Sequence, residues 1–134
     1  MWRFLILFLI LLGANAVETQ TKIIININDK KYIAQIYNNP SAQLFAKKLP
    51  QTLTLKELNG NEKYGTLPYT LPSNSSNPKT INAGDIMLHG EDCLVIFYKS
   101  FNTNYSYTKI GHIENLPHLG DGDISVRFER FQPL

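Results

Sequence analysis

Residues able to perform metal, acid–base or nucleophilic chemistry are few in this chain, and their spacing matches no common catalytic pattern. The histidines His89, His112 and His118 fit no standard zinc spacing, and no cysteine or carboxylate completes a ligand set with them. Cys93 is the only cysteine, so no internal disulfide can form, and the apolar run after it predicts a buried thiol. We therefore expect surface histidines and no metal site.

Hydrolase and calcium chemistry have equally little support. The chain contains no Gly-x-Ser-x-Gly nucleophile elbow. Asp121 and Asp123 flank Gly122 as in part of a calcium loop, but the positions of the further oxygen ligands are not filled. Gly-Asp-Gly is typical of a plain turn. From these residues we predict no catalytic group and no bound cofactor.

Two carboxylates are placed where they could serve a site. Asp85 follows Gly84, and we expect its side chain to accept backbone N–H bonds and fix a turn. Glu62 stands beside Lys63 and Tyr64, next to a segment rich in glycine and proline. It is either an exposed ion or part of a binding site.

Aromatic side chains form the best candidate surface. Tyrosine has a flat apolar body and a hydrogen-bonding tip, which suits the binding of extended peptides or small ligands. The alternative is that the rings only cover the fold. The aromatic set is Tyr64, Tyr69, Phe97, Tyr98, Phe101, Tyr105 and Tyr107. The predicted ligand-binding residues are Glu62, Tyr64, Phe97, Tyr98, Phe101 and Tyr107.

Short strands separated by turns must position these side chains. Alternating or continuous apolar runs predict seven or eight strands. Asn39-Pro40 predicts the start of one helix, which Pro50 ends. So small a mainly antiparallel sheet avoids exposed edges by closing into a barrel. The clearest strand runs are 22–28, 31–37, 51–57, 86–89, 93–99, 108–114 and 123–131.

The N-terminus has the pattern of an export signal. Arg3 precedes nine apolar residues, 4–12, and Ala14-Asn15-Ala16 forms a small-x-small cleavage site. Nine residues are too few to span a bilayer core, which needs about 20 in a helix. We expect residues 1–16 to be a cleaved signal peptide and residues 17–134 to be one exported domain, periplasmic or secreted. The alternative is an uncleaved membrane anchor.

The charge of the mature chain is nearly balanced. Without Arg3 it has 12 basic and 11 acidic residues. Such a balance argues against nucleic acid or an anionic membrane surface as the main partner.

Several segments resemble the small closed-barrel cyclophilin-like proteins of bacteria, which are distant relatives of the peptidyl-prolyl isomerases. They are LPQTLTLKELNGNEKYGTLPYTLP, AGDIML, CLVIFYKSF and YTKIGHI, and the likeness runs from Lys22 to Phe131. The resemblance implies a cyclophilin-type barrel: mainly β, closed, antiparallel, with one short helix. Most members of this group have no established activity.

The isomerase residues of true cyclophilins are mostly missing. The resemblance to true cyclophilins implies an Arg in the strand after the helix, yet the mature chain has only Arg127 and Arg130, in its last strand. The only Trp, Trp2, leaves with the signal. Phe97 is a candidate for the floor of a proline pocket, but the barrel itself explains it.

The resemblance therefore implies a scaffold more than a reaction. We expect non-catalytic binding of a small molecule or peptide segment in the cell envelope, without a cofactor. A weak or atypical prolyl isomerase or folding helper is one alternative, and a protein-interaction module is another.

Overall fold

A computed structural model of the chain describes residues 21–132, which form ten strands and one helix. The predicted signal peptide, residues 1–16, lies outside the described residues. The strands are β1 (Thr21–Ile27), β2 (Lys30–Ile36), β3 (Gln51–Leu58), β4 (Glu62–Thr66), β5 (Thr80–Ile81), β6 (Asp85–His89), β7 (Cys93–Phe97), β8 (Phe101–Asn102), β9 (Thr108–Ile113) and β10 (Ile124–Arg130).

Eight of these strands close into a barrel in the order β1-β10-β3-β4-β7-β6-β9-β2, with β2 returning to β1. Every neighbouring pair is antiparallel. The predicted closed antiparallel barrel is confirmed. The two short strands β5 and β8 pair with each other as a separate ribbon.

The β1–β2 hairpin shows how the alternation of the sequence becomes an inner wall. Ile23, Ile25 and Ile27 are buried in the main core, while the residues between them are more exposed. The turn lies at Asn28-Asp29, where both residues have positive φ, 52° and 65°. The sequence placed it one residue later, at Asp29-Lys30. Asn and Asp tolerate the left-handed conformation that a two-residue hairpin turn requires.

Helix α1 (Pro40–Lys47) covers one end of the barrel. It begins as predicted, with the Asn39 side chain accepting a hydrogen bond from the N–H of Ala42 at 2.8 Å. Phe45 is fully buried and meets the inward ring of Phe128 edge to face, with centroids 5.3 Å apart. Leu49 follows the helix, and the Leu49–Pro50 peptide bond is cis. In the described part of the chain, no helix is long and apolar enough to cross a membrane.

The opposite end of the barrel is closed by a buried lysine. Lys63 points inward from β4, and its Nζ donates to the carbonyl oxygens of Gly120 and Gly122, both at 2.6 Å. It also pairs with Glu57 Oε1 on β3 at 2.8 Å. The lysine thereby ties the loop before β10 across the barrel end.

A second, smaller core lies outside the barrel wall. Val95 and Phe97 point outward from β7, and the β5–β8 ribbon buries them through Ile81 and Phe101. Leu94 and Ile96 point into the main core, so the prediction that this strand is buried on both faces is confirmed. The strand ends at Phe97, two residues before the predicted end. This smaller core, which we call the outer core, lies directly beneath the candidate functional site.

Candidate functional site

Two adjoining depressions of about 420 Å³ and 440 Å³ lie on the outer wall of the barrel, where β4 and β7 meet the loop after β8. They share four lining residues, Asn59, Glu62, Tyr105 and Tyr107. We call their union the outer groove. The first depression is completed by Leu58, Tyr64, His89, Cys93 and Val95, and the second by Asn61, Phe101, Asn102, Thr103 and Asn104.

Strand alternation on β4 aims Glu62 and Tyr64 into the groove. The residue between them, Lys63, points into the barrel, so its two neighbours must point out. A tight turn at Asn59-Gly60 precedes the strand, with φ of 55° and 68°. The turn brings Asn59 to the same edge of the groove as Glu62.

The other wall is a tyrosine pair in the loop between β8 and β9. Tyr107 is 7% exposed, and its ring meets that of Phe97 edge to face at 5.6 Å. Its backbone is fixed by paired hydrogen bonds with Ser76, both at 3.0 Å. Tyr105, two residues earlier, is 69% exposed. One ring is thus anchored in the outer core and the other stands free at the rim.

Glu62 has an unusual electrostatic setting. Desolvation, followed by the nearby charge of Glu57, raises the pKa of its carboxyl above the ordinary value. Within residues 21–132 no donor lies within hydrogen-bond distance of this carboxylate. The pKa of Tyr107 is also raised, first by burial and then by the charge of Glu62.

The structure brings together four of the six residues predicted from the sequence: Glu62, Tyr64, Phe101 and Tyr107. Phe97 lies beneath the groove, fully buried, and supports the rings of Phe101 and Tyr107.

Tyr98 lies apart from this set. Its hydroxyl donates to Glu57 Oε1 at 2.8 Å, and its ring meets that of His118 at 4.7 Å, at the lysine-closed end of the barrel. Burial, together with the bond to Glu57 and that residue's charge, raises the pKa of Tyr98 to about 12. Strand β7 has already ended at Phe97, so alternation along it does not carry over to Tyr98.

Tyr105, Asn59 and Asn61 line the groove but were not predicted to bind a ligand. Tyr105 belongs to the aromatic set, and its place in a polar Asn-Tyr-Ser segment was the only available signal of its exposure. The asparagines gave no signal, because asparagine is equally typical of turns.

Comparison with known proteins decides the family. The model of the cyclophilin-like family matches residues 25–129. The chain belongs to the cyclophilin-like family. This confirms the resemblance, and the matched region runs from within β1 to within β10, so it includes nearly all of the barrel. No curated protein matches the chain.

A solved structure shows the same fold. The solution structure of a hypothetical protein from Archaeoglobus fulgidus superposes with a TM-score of 0.56 at 17% identity. The match covers 84% of this cyclophilin-like chain and 95% of the archaeal one. At this identity the likeness concerns the fold alone.

The remaining candidate residues of this cyclophilin-like domain have structural partners. Asp85 Oδ2 accepts from the N–H of Asn82 at 2.8 Å, so its predicted turn-fixing role is confirmed. Its other oxygen lies 2.9 Å from Nδ1 of His112, so this partly exposed histidine has a carboxylate partner, which was not predicted from the sequence. His89 and His118 are exposed.

Metal-binding and thiol chemistry gain no support from the fold. Among the described residues no group of three or more His, Cys, Asp and Glu is placed to hold a metal ion. Cys93 is half-buried, and burial, with the charges of Glu62 and Asp92, raises the pKa of its thiol. A raised pKa makes a thiol less reactive at neutral pH.

Proposed function

We propose that this chain is an exported, non-catalytic binding domain that takes a small molecule or a peptide segment in the outer groove. The observation that carries the proposal is the convergence of Glu62, Tyr64, Tyr105 and Tyr107 on two adjoining depressions. Tyr105 is 69% exposed at the rim of both depressions, so its ring is accessible to a ligand.

The groove has the size and lining of a ligand site. Each depression lies within the range of about 300–1,000 Å³ usual for small-molecule pockets. The aromatic rings of the groove offer flat apolar contact to a ligand, and its hydroxyl, amide and carboxylate groups can orient the ligand by hydrogen bonding. The anchored Tyr107 provides a rigid wall, which lowers the entropy lost on binding.

The chemistry of the lining supports binding over prolyl isomerisation. Rotation about an X–Pro bond has a barrier of about 20 kcal/mol, and catalysis needs a donor beside the twisted amide. Among residues 21–132, the groove lining contains amide and hydroxyl donors but no arginine, so the cationic donor that the resemblance to true cyclophilins implies is missing there.

Export rests on the N-terminal pattern of Arg3, an apolar run and Ala14-Asn15-Ala16. We expect the protein recovered from a producing cell's exterior or periplasm to begin at Val17. Mass spectrometry of the intact purified chain measures this directly. An N-terminus at Met1 in membrane fractions would favour the anchor alternative instead.

Binding is tested by titrating the exported chain with two probes while amide NMR shifts are followed. The probes are 2-phenylethanol and the blocked tripeptide acetyl-Ala-Phe-Ala-amide. We expect the shifts to cluster at Glu62, Tyr64 and Tyr107. Tyr105→Ala should weaken binding by about fivefold or more, because an aromatic contact contributes roughly 1 kcal/mol.

The matched control is Phe131→Ala, which removes an aromatic side chain that is 37% exposed and lines neither depression. It should leave both affinities unchanged. The binding proposal is refuted if neither probe shifts any groove resonance at millimolar concentration. Acceleration of cis–trans exchange in a proline peptide, beyond the uncatalysed rate, would favour the isomerase alternative.

A further inference from the structure

The charge of the outer groove is carried by a single side chain. Among the described residues that line either depression, Glu62 alone bears a formal charge at neutral pH, with His89 taken as neutral. The exported chain has 12 basic and 11 acidic residues, which is a net charge of +1. The negative character of the groove is therefore local and opposite in sign to the molecule.

This carboxylate is held in place without a partner. Glu62 sits on β4, paired in register with Leu58 on one side and Phe97 on the other, so its backbone is fixed. The lysine next to it in the sequence cannot reach it, because Lys63 points into the barrel and binds Glu57, Gly120 and Gly122. No donor from residues 21–132 hydrogen-bonds to its oxygens. Water solvates this half-buried carboxylate only in part, so a cationic ligand can form an ion pair with it that no group among residues 21–132 makes.

The rings around Glu62 favour a particular class of donor. Tyr64, Tyr105 and Tyr107 line the same depression as the carboxylate. The negative face of a tyrosine ring attracts an ammonium or guanidinium group, most strongly where water is partly excluded. A carboxylate flanked by tyrosines stabilises a positive charge twice over, through ion pairing and through the rings.

We propose that the outer groove binds an organic cation, an ammonium or guanidinium group on a short apolar body, with Glu62 as its counter-ion and the tyrosines as its walls. The inference rests on the proposed binding function and names its ligand class. The cation is either a free amine or the side chain of a lysine or arginine in a peptide.

The experiment compares probes of one shape and different charge by NMR titration of the exported chain. 2-Phenylethylamine is the cation, 2-phenylethanol its neutral counterpart and phenylacetate the anion. We expect the amine to bind about tenfold more tightly than the alcohol, as a charge-assisted hydrogen bond provides. Phenylacetate should bind more weakly than either.

Substitution of the carboxylate assigns the effect. Glu62→Gln keeps the size of the side chain, so it should remove the preference for the amine and leave the affinity for the alcohol nearly unchanged. Glu91→Gln makes the same change in net charge at an exposed turn residue that lines neither depression. That variant should bind all three probes as the parent does.

A peptide pair separates the two sources of the cation. The cation is a peptide side chain if acetyl-Ala-Lys-Ala-amide binds as tightly as 2-phenylethylamine. The lysine peptide must also bind more tightly than its neutral counterpart, acetyl-Ala-norleucine-Ala-amide. Binding of the amine alone indicates a free small molecule.

The possible failures are distinct. Equal affinities for amine and alcohol, or a preference that survives Glu62→Gln, overturn the cation inference while ligand binding stands. A groove that responds to none of the probes overturns both.

Discussion

At the scale of residues, two neighbours in sequence have opposite roles. Lys63 is fully buried, and its charge is satisfied by Glu57 and two backbone carbonyls. Glu62 lies on the outer face with no donor from the described residues. Strand alternation separates them by the thickness of the barrel wall, so the adjacent pair in the sequence is not an ion pair in the fold.

The unpaired carboxylate predicts a gain in stability on its removal. Because the folded pKa of Glu62 is raised, its contribution to stability is greatest at low pH and declines as the pH rises through that pKa. Glu62→Gln should therefore increase the free energy of unfolding at pH 7 by ~0.5 kcal/mol, given partial solvent screening. The gain should vanish near pH 3.5, where the carboxyl is protonated. Urea unfolding at both pH values measures it.

The control for that measurement is Glu91→Gln, whose carboxylate is exposed. Its stability should match the parent at both pH values. A Glu62→Gln variant that is less stable than the parent at pH 7 would mean that the carboxylate has a stabilising partner, and the groove would lose its free counter-ion.

At the scale of elements, close approach between strands decides where the barrel closes. Gly111 on β9 pairs with Ile36 on β2. A Cβ at this position would overlap the carbonyl oxygen of Gln35 and lie 3.0 Å from Ile36 Cδ1. The β2–β9 pairing therefore depends on a residue without a side chain.

Gly111→Ala should lower the free energy of unfolding by about 2 kcal/mol, because overpacking forces two paired backbones apart. Urea denaturation followed by fluorescence or circular dichroism gives the value. Gly90→Asn is the matched control, since that glycine has open space around it and a φ of 67° that asparagine tolerates. If Gly111→Ala lowers the free energy of unfolding no more than Gly90→Asn does, strands β2 and β9 can move apart to accommodate a methyl group at little cost.

At the scale of the whole molecule, the two barrel ends are closed by different chemistry. Helix α1 covers one end with the buried ring of Phe45, and Lys63 ties β3, β4 and the loop before β10 across the other. In both cases the parts joined are far apart in sequence. Lys63, for example, lies 57 residues from Gly120. Such contacts make the closure of the barrel cooperative.

Lys63→Met should destabilise the fold by about 3 kcal/mol, because it removes the cation that pairs with Glu57 and the donor to the carbonyl oxygens of Gly120 and Gly122. The midpoint of urea unfolding measures the loss. Lys56→Met, an exposed lysine on the neighbouring strand, should change it by less than about 0.5 kcal/mol. Adding Glu57→Leu to Lys63→Met should recover part of the lost stability. An unchanged unfolding midpoint for Lys63→Met alone would show that the contacts of Lys63 with Glu57 and the loop before β10 do not stabilise the fold.

Local patterns predicted most of the framework. The strand alternation in 22–28 and the Asn39-Pro40 helix start both appear in the structure. They could be predicted because each depends on neighbouring residues only. The turn at Asn28-Asp29 was misplaced by one residue, since Asn and Asp suit adjacent turn positions equally well.

The candidate site could be predicted only in part. Alternation on β4 correctly puts Glu62 and Tyr64 on one face, and Phe101 and Tyr107 join them across the fold. The same reasoning could not show that a two-stranded ribbon would bury Phe97 or that Tyr98 would turn toward Glu57. Those outcomes depend on contacts between segments distant in sequence.

Hydrophobic periodicity and turn chemistry act over a few residues, so they were enough to predict the barrel class, the single helix and the strand that is buried on both faces. Which aromatic rings are buried beneath the groove, as Phe97 is, and which are exposed, as Tyr105 is, depends on tertiary contacts. Tertiary structure also left the Glu62 carboxylate unpaired while its neighbour Lys63 was used inside the barrel. The physical reason is that burial and ion pairing depend on what the rest of the chain brings close, which no local pattern specifies.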